Sequence, residues 1–187
     1  MAKEFSVTWD SKSSAYLKEK KTLKALAAAA RKAGIDMMRA VRAEAKRETR
    51  ERIRIRAGYL AAKAMPLKYP KTRKLDEMEW RMPVSGREVP LGEFPSRQTK
   101  KGVSLEVQRG KRVLIKGAFR AQGAKRQRPG VFKRPGKKRY PMGHKLGLRV
   151  SDSMHDGKTP TKALTRGQEV FARGMTRLLP LELAKIK

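Results

Sequence analysis

From Asp10 to Met65 the chain has no proline, and no other feature constrains its folding as strongly. Within this run Leu23, Ala27, Ala30, Gly34, Met37, Val41 and Ala45 recur at steps of three or four, with Lys and Arg between them. That spacing predicts one apolar face along a long helix. Asp10, Ser11 and Ser13 each offer an N-cap oxygen, and Glu48 and Arg52 stand one helical turn apart. The seam is mostly alanine, so a neighbour must come close and buries little area. Two covers are open. The chain's own sheet could pack there, or a second copy could use Leu23, Ala27, Ala30, Gly34, Met37 and Val41 as an oligomer seam. A break is expected between Thr49 and Arg56, then a short helix through Gly58 to Ala64 that Pro66 ends.

Beyond Pro66 the period changes. In EMEWRMPV, residues Met78, Trp80, Met82 and Val84 alternate with Glu77, Glu79 and Arg81, which predicts a half-buried strand whose Pro83 belongs at an edge or bulge. SGREVPLGEFPS reads as a Gly/Pro-rich connection. In GVSLEVQRGKRVLIKGAF, Val103, Leu105 and Val107 alternate, Gly110 turns, and Val113 and Ile115 alternate back, predicting a hairpin. A second short strand pair is expected at Val131–Phe132 and Arg139–Met142, joined by a type II turn at Pro135–Gly136. RAQGAKRQRPG before it has alanine as its only apolar residue type and reads as a flexible loop. The last helix is expected to be capped by Thr159, with Pro160 at the first helical position, an apolar face of Leu164, Phe171, Met175, Leu178 and Leu183, and a kink or split at Pro180. The order is helices, a small antiparallel sheet, then a helix. We read this as an α+β fold with an N-terminal helical region (1–66), a basic antiparallel sheet with long loops (67–157) and a C-terminal helix (158–187), all in one structural unit.

Charge narrows the partners. The formal net charge is +31, from 48 Lys and Arg against 17 acidic residues, whereas a small soluble domain does well with a magnitude of ~2–8. Such an excess calls for a polyanion or an acidic protein neighbour. The stretch Lys100 to Arg149 holds 17 basic residues and one acid, Glu106. Its densest part, GVFKRPGKKRYPMG, places Lys133, Arg134, Lys137, Lys138 and Arg139 in a candidate tip facing a partner or DNA, with Lys125, Arg126 and Arg128 just before it. Phe119, Phe132 and Tyr140 could stack on bases, but no helix-turn-helix, RNP-type or zinc-finger signature accompanies them. Phe132 and Tyr140 also fall on expected strand positions.

Catalytic chemistry finds little support in the residues. Asp152, Ser153, His155 and Asp156 cluster in SDSMHDG, but local clustering is the ordinary mark of a solvated turn. Asp76, Glu77 and Glu79 form a carboxylate group, two members of which fall on a strand's polar face. The chain has no cysteine, no phosphate-binding glycine loop and no zinc-ligand spacing. We expect no enzyme, no cofactor and no metal. The first ten residues do not resemble a signal peptide, and no stretch has the ~18 apolar residues of a membrane span, so a soluble protein without a membrane partner is expected.

These residues resemble the minor tail protein Z family of long-tailed phages, a tail-completion family. The likeness lies in order: a helical first third leading into ETRERIRIRAG (Glu48 to Gly58), the strand holding Trp80, VPLGEF (Val89 to Phe94), a hairpin ending IKGAF (Ile115 to Phe119), GVFKRPGKKRYPM (Gly130 to Met142), and RLLPLELAKIK (Arg177 to Lys187). It covers the chain from about Ala27 onward. The resemblance implies a structural virion protein at the head-proximal end of the tail, assembled in the host cytoplasm and needed for tail maturation, head–tail joining or DNA delivery. By analogy it implies a six-fold homo-oligomeric ring whose neighbours are a tail terminator, tail tube or head-completion protein. A related neck or head-closure adaptor, and a basic protein contacting genomic DNA nonspecifically, stand as alternatives.

Overall fold

The computed structural model describes residues 3–8, 20–72, 74–121, 130–134, 136, 143–144, 146–154 and 158–185. Within the proline-free run a long helix forms as expected: α1 spans Lys20–Arg52. The candidate caps Asp10, Ser11 and Ser13 lie outside the described residues. Ile53 to Arg56 then leave the helix, with the isoleucines buried and the arginines exposed. The short helix follows as α2 (Ala57–Tyr59), continued by a π turn at Leu60–Ala64 just before Pro66.

The described chain is α+β. Its strands are β1 (Lys3–Thr8), β2 (Glu79–Val84), β3 (Glu88–Pro90), β4 (Ser96–Thr99), β5 (Gly102–Gln108), β6 (Lys111–Lys116), β7 (Ala118–Ala121), β8 (Gly130–Lys133), β9 (Gly143–His144) and β10 (Leu146–Arg149), and α3 (Lys158–Ala184) follows. All pairings among them are antiparallel: β1 with β2, β3 with β10, β4–β5–β6, and β7–β8–β9.

Contacts divide the chain into two compact units that cut across the expected three-part order. One gathers Ala2–Ala45, Met65–Val84 and Gly157–Lys187; the other gathers Lys46–Ala64 and Ser85–Asp156. In the first, the small residues of α1 meet small residues of α3. Gly174 of α3 lies against Ala33, and Gly167 against Val41 and Met37. Gly34 touches the Trp80 ring, which is 1% exposed and meets the edge of Phe171 at 6.4 Å between centroids. Met37, Met38, Met65, Met78 and Met82 fill the rest of this core, a use suited to a flexible side chain. Glu182 of α3 accepts hydrogen bonds from Lys32 of α1 at 2.6 Å and from Lys185 at 2.9 Å.

The expected oligomer seam is therefore largely covered within the chain. Ala30, Met37 and Val41 are buried beside Ala33, and Gly34 is closed over by Trp80. The cover is α3 and β2, because only residues without bulk let two helices and an indole approach so closely. Leu23 is half-buried, and with Ala27 it borders an open cleft of about 920 Å³.

The ends of α3 also differ from expectation. Thr159 lies inside the helix, fully buried, and its hydroxyl caps nothing. The buried stripe is Thr159, Ala163, Gly167 and Gly174, while Leu164, Phe171, Met175 and Leu178 flank it half-buried and Leu183 is exposed. The helix does not split at Pro180. Proline there leaves only the Thr176 carbonyl without its helical donor, and it stands close to the helix end, where such losses are least costly.

In the second unit β5 is the central strand, with Val103, Leu105 and Glu106 buried. Val89, Leu91, Phe94, Ala118, Val131, Val150 and Met154 complete that core with Ile53, Ile55 and Leu60. The connection SGREVPLGEFPS is more regular than expected: it holds β3, a 3-10 turn at Leu91–Glu93, and the first residue of β4.

Candidate docking surface

The β5–β6 hairpin turns through Gly110 at φ +78°, a left-handed conformation that glycine adopts without penalty. Glu106, the lone acid of the basic stretch, organises it. One carboxylate oxygen accepts from the Gly110 backbone N–H at 2.9 Å, and the other accepts from Arg54 Nη1 at 3.1 Å, with Arg112 Nε at 3.9 Å. The Gly110 N–H, followed by Arg54 and Arg112, holds this carboxyl below the usual carboxylate range despite its burial. Arg54 comes from the segment just after α1, and its backbone N–H also donates to the Val107 carbonyl at 2.9 Å.

The two sides of this sheet differ. On one side, β5 is flanked by β4 and, beyond it, by Ile53, which bridges to Gln108. The outer side of β4 is occupied in turn: Arg120 Nη1 donates to the Ser96 carbonyl at 3.0 Å, and its backbone N–H donates to the Gln98 side chain at 2.9 Å. On the other side, β6 ends the sheet with no further strand among the described residues. Val113 is 55% exposed and Leu114 41%, on opposite faces of the strand, with Lys111, Arg112 and Lys116 exposed beside them.

The second sheet carries part of the basic tip. Phe119 and Phe132 are cross-strand partners whose rings stack at 6.1 Å, and the Arg134 guanidinium sits over the Phe119 ring at 5.1 Å. Lys133 and Arg134 are exposed. Lys125, Arg126, Arg128, Lys137, Lys138, Arg139 and Tyr140 lie outside the described residues. Pro135 and residues 139–142, which were to form the turn and the second strand of this pair, lie outside the described residues; among the described ones Lys133 pairs with Gly143 and Phe132 with His144. The other neighbour of β8 is β7, whose sequence AFRA carries too short an alternation to announce a strand.

The remaining candidates have ordinary roles where they are described. The Ser153 hydroxyl donates to the Val150 carbonyl at 2.7 Å and Asp152 is exposed, while His155 and Asp156 fall outside the described residues. Glu77 pairs with Lys74 at 2.7 Å and Glu79 with Arg81 at 2.5 Å. Each carboxyl is held below its usual range, first of all by the hydrogen bond from that partner. Among the described residues no three metal-ligating side chains gather, and no helix is long and apolar enough to cross a membrane. Sequence reasoning missed the β6 edge as a site. Its signal was present in KRVLIK, an apolar centre flanked by cations that leads back from a turn.

Comparison of the chain with protein-family models, with curated proteins and with solved structures gives no match.

Proposed function

We propose that this chain is a non-enzymatic structural subunit of a phage tail, of the tail-completion or connector type, acting at the head-proximal end and assembling as a homo-oligomeric ring. The observation that carries this reading is the asymmetric β4–β5–β6 sheet. One side is closed by Ile53 and Arg120, while the other presents an exposed strand with apolar residues set among cations. An edge of that kind is suited to an assembly contact. The resemblance in motif order from about Ala27 onward supplies the virion setting. The covered α1 seam shifts the expected subunit contacts from that helix to sheet edges and loops.

Electron microscopy of the chain, purified after nuclease treatment, tests the reading. Closed rings without nucleic acid are expected. The opposing reading, a general nucleic-acid binder, draws on the exposed Lys133 and Arg134 within a stretch of 17 basic residues and one acid. It requires a monomer whose affinity for duplex DNA falls with salt at a log–log slope near −0.9 for each phosphate neutralised, roughly. That result, with no rings, overturns the assembly reading.

A further inference from the structure

We infer that the outer edge of β6, Lys111–Lys116, accepts an extended strand from an acidic partner protein, adding it to the β4–β5–β6 sheet. The inference deepens the assembly reading and rests on it only for where the partner comes from.

Three observations converge on this edge. First, β6 is six residues long and its outer side meets no strand among the described residues, whereas the opposite side of the sheet is closed by Arg120 and Ile53. Second, Val113 and Leu114 are both exposed although neighbours in a strand point to opposite faces. An added strand would lay side chains beside both and withdraw them from water. Third, Lys111, Arg112 and Lys116 flank this apolar centre, and the lone acid of the stretch, Glu106, is buried and already held by Gly110, Arg54 and Arg112.

Charge selects the occupant. In an antiparallel pairing of two β6 strands centred between Val113 and Leu114, Lys111 of each copy would face Lys116 of the other. Like charges directly opposite are destabilising, so the β6 strand of a second copy is a poor occupant in that register. A strand with Asp or Glu near Lys111, Arg112 and Lys116 and apolar residues beside Val113 and Leu114 satisfies both requirements. Cations on an edge also serve to deter aggregation. That role accounts for the lysines but not for two adjacent exposed aliphatic residues between them.

The test uses the full chain and a labelled peptide of alternating Glu and Val. Controls are the same peptide with Lys for Glu, the same peptide with a central proline, and a short DNA duplex. Binding is followed by fluorescence anisotropy and by hydrogen exchange. The Glu/Val peptide is expected to bind and to slow exchange at the β6 amides that face away from β5. The Lys peptide and the proline peptide should not do so. The double substitution V113K/L114K should weaken binding by about tenfold or more, a change of ~1.4 kcal/mol. V113T/L114T, which keeps strand propensity, should weaken it in the same direction and guards against loss of fold. Equal binding of the proline peptide, protection away from β6, or duplex DNA protecting the same amides would overturn the inference. Ring formation unchanged in a chain that fails to capture the peptide would sink the edge and leave the assembly reading standing. Capture by a chain that forms no rings would do the reverse.

Discussion

Gly34 and Trp80 define one another. The indole occupies the space where a β-carbon at position 34 would sit, and its ring N–H is buried without an acceptor. Gly34→Val should destabilise the fold by about 1–3 kcal/mol through overpacking. Trp80→Ala should cost about 3–5 kcal/mol through the cavity it leaves, whereas Trp80→Phe should cost less because the orphaned donor goes with the indole. Denaturant unfolding followed by circular dichroism measures all three. Glu106 and Glu182 set the acid limit. Both carboxyls are held below the usual range, Glu106 first by the Gly110 N–H and Glu182 first by Lys32 and then Lys185. Their contribution is complete above the unfolded carboxylate pKa of about 4.3 and is lost as pH falls through the lower folded values. The melting temperature should therefore drop on acidification below that range, and Glu106→Gln should flatten the drop while lowering stability at neutral pH. Neither role was legible in full. Glu106 stood out as a lone acid, but what it grips depends on Arg54, which lies far from it in sequence.

At the scale of elements, periodicity read well where a segment was long or its alternation strong. α1, β2 and the β5–β6 hairpin all lie where the spacing of Met37, Trp80 and Leu105 puts them. Strands β3, β4, β7, β9 and β10 were missed for a common reason. Each is short or polar, as in Ser96–Thr99, and exists because a neighbouring strand supplies hydrogen bonds. The buried stripe of α3 was misjudged because the eye follows Leu and Phe. What α1 needs is absence of bulk, which Gly167 and Gly174 provide. Pro180 remains a local cost. Pro180→Ala should stabilise the fold by less than the ~3 kcal/mol of a proline in mid-helix, seen as a higher melting temperature in a thermal scan of the variant.

For the molecule as a whole, +31 is a burden as well as an attraction. Raising ionic strength from about 0.01 to about 0.15 M shortens the Debye length from ~30 to ~8 Å. The melting temperature of the nucleic-acid-free protein should rise over that interval, and a fall would show that its exposed ion pairs outweigh the repulsion. The division into two interleaved units was not readable from sequence, since it depends on which distant segments meet and not on any linker. It also imposes an order on synthesis. The seam of α1 leaves the ribosome early, but Gly167 and Gly174, which cover it, are translated more than a hundred residues later. At ~5–20 residues per second, that face waits on the order of ten seconds for its partner. Through that wait the nascent chain must keep Ala33, Met37 and Val41 from other company, a task for which Lys32, Arg39 and Arg42 beside them are well placed.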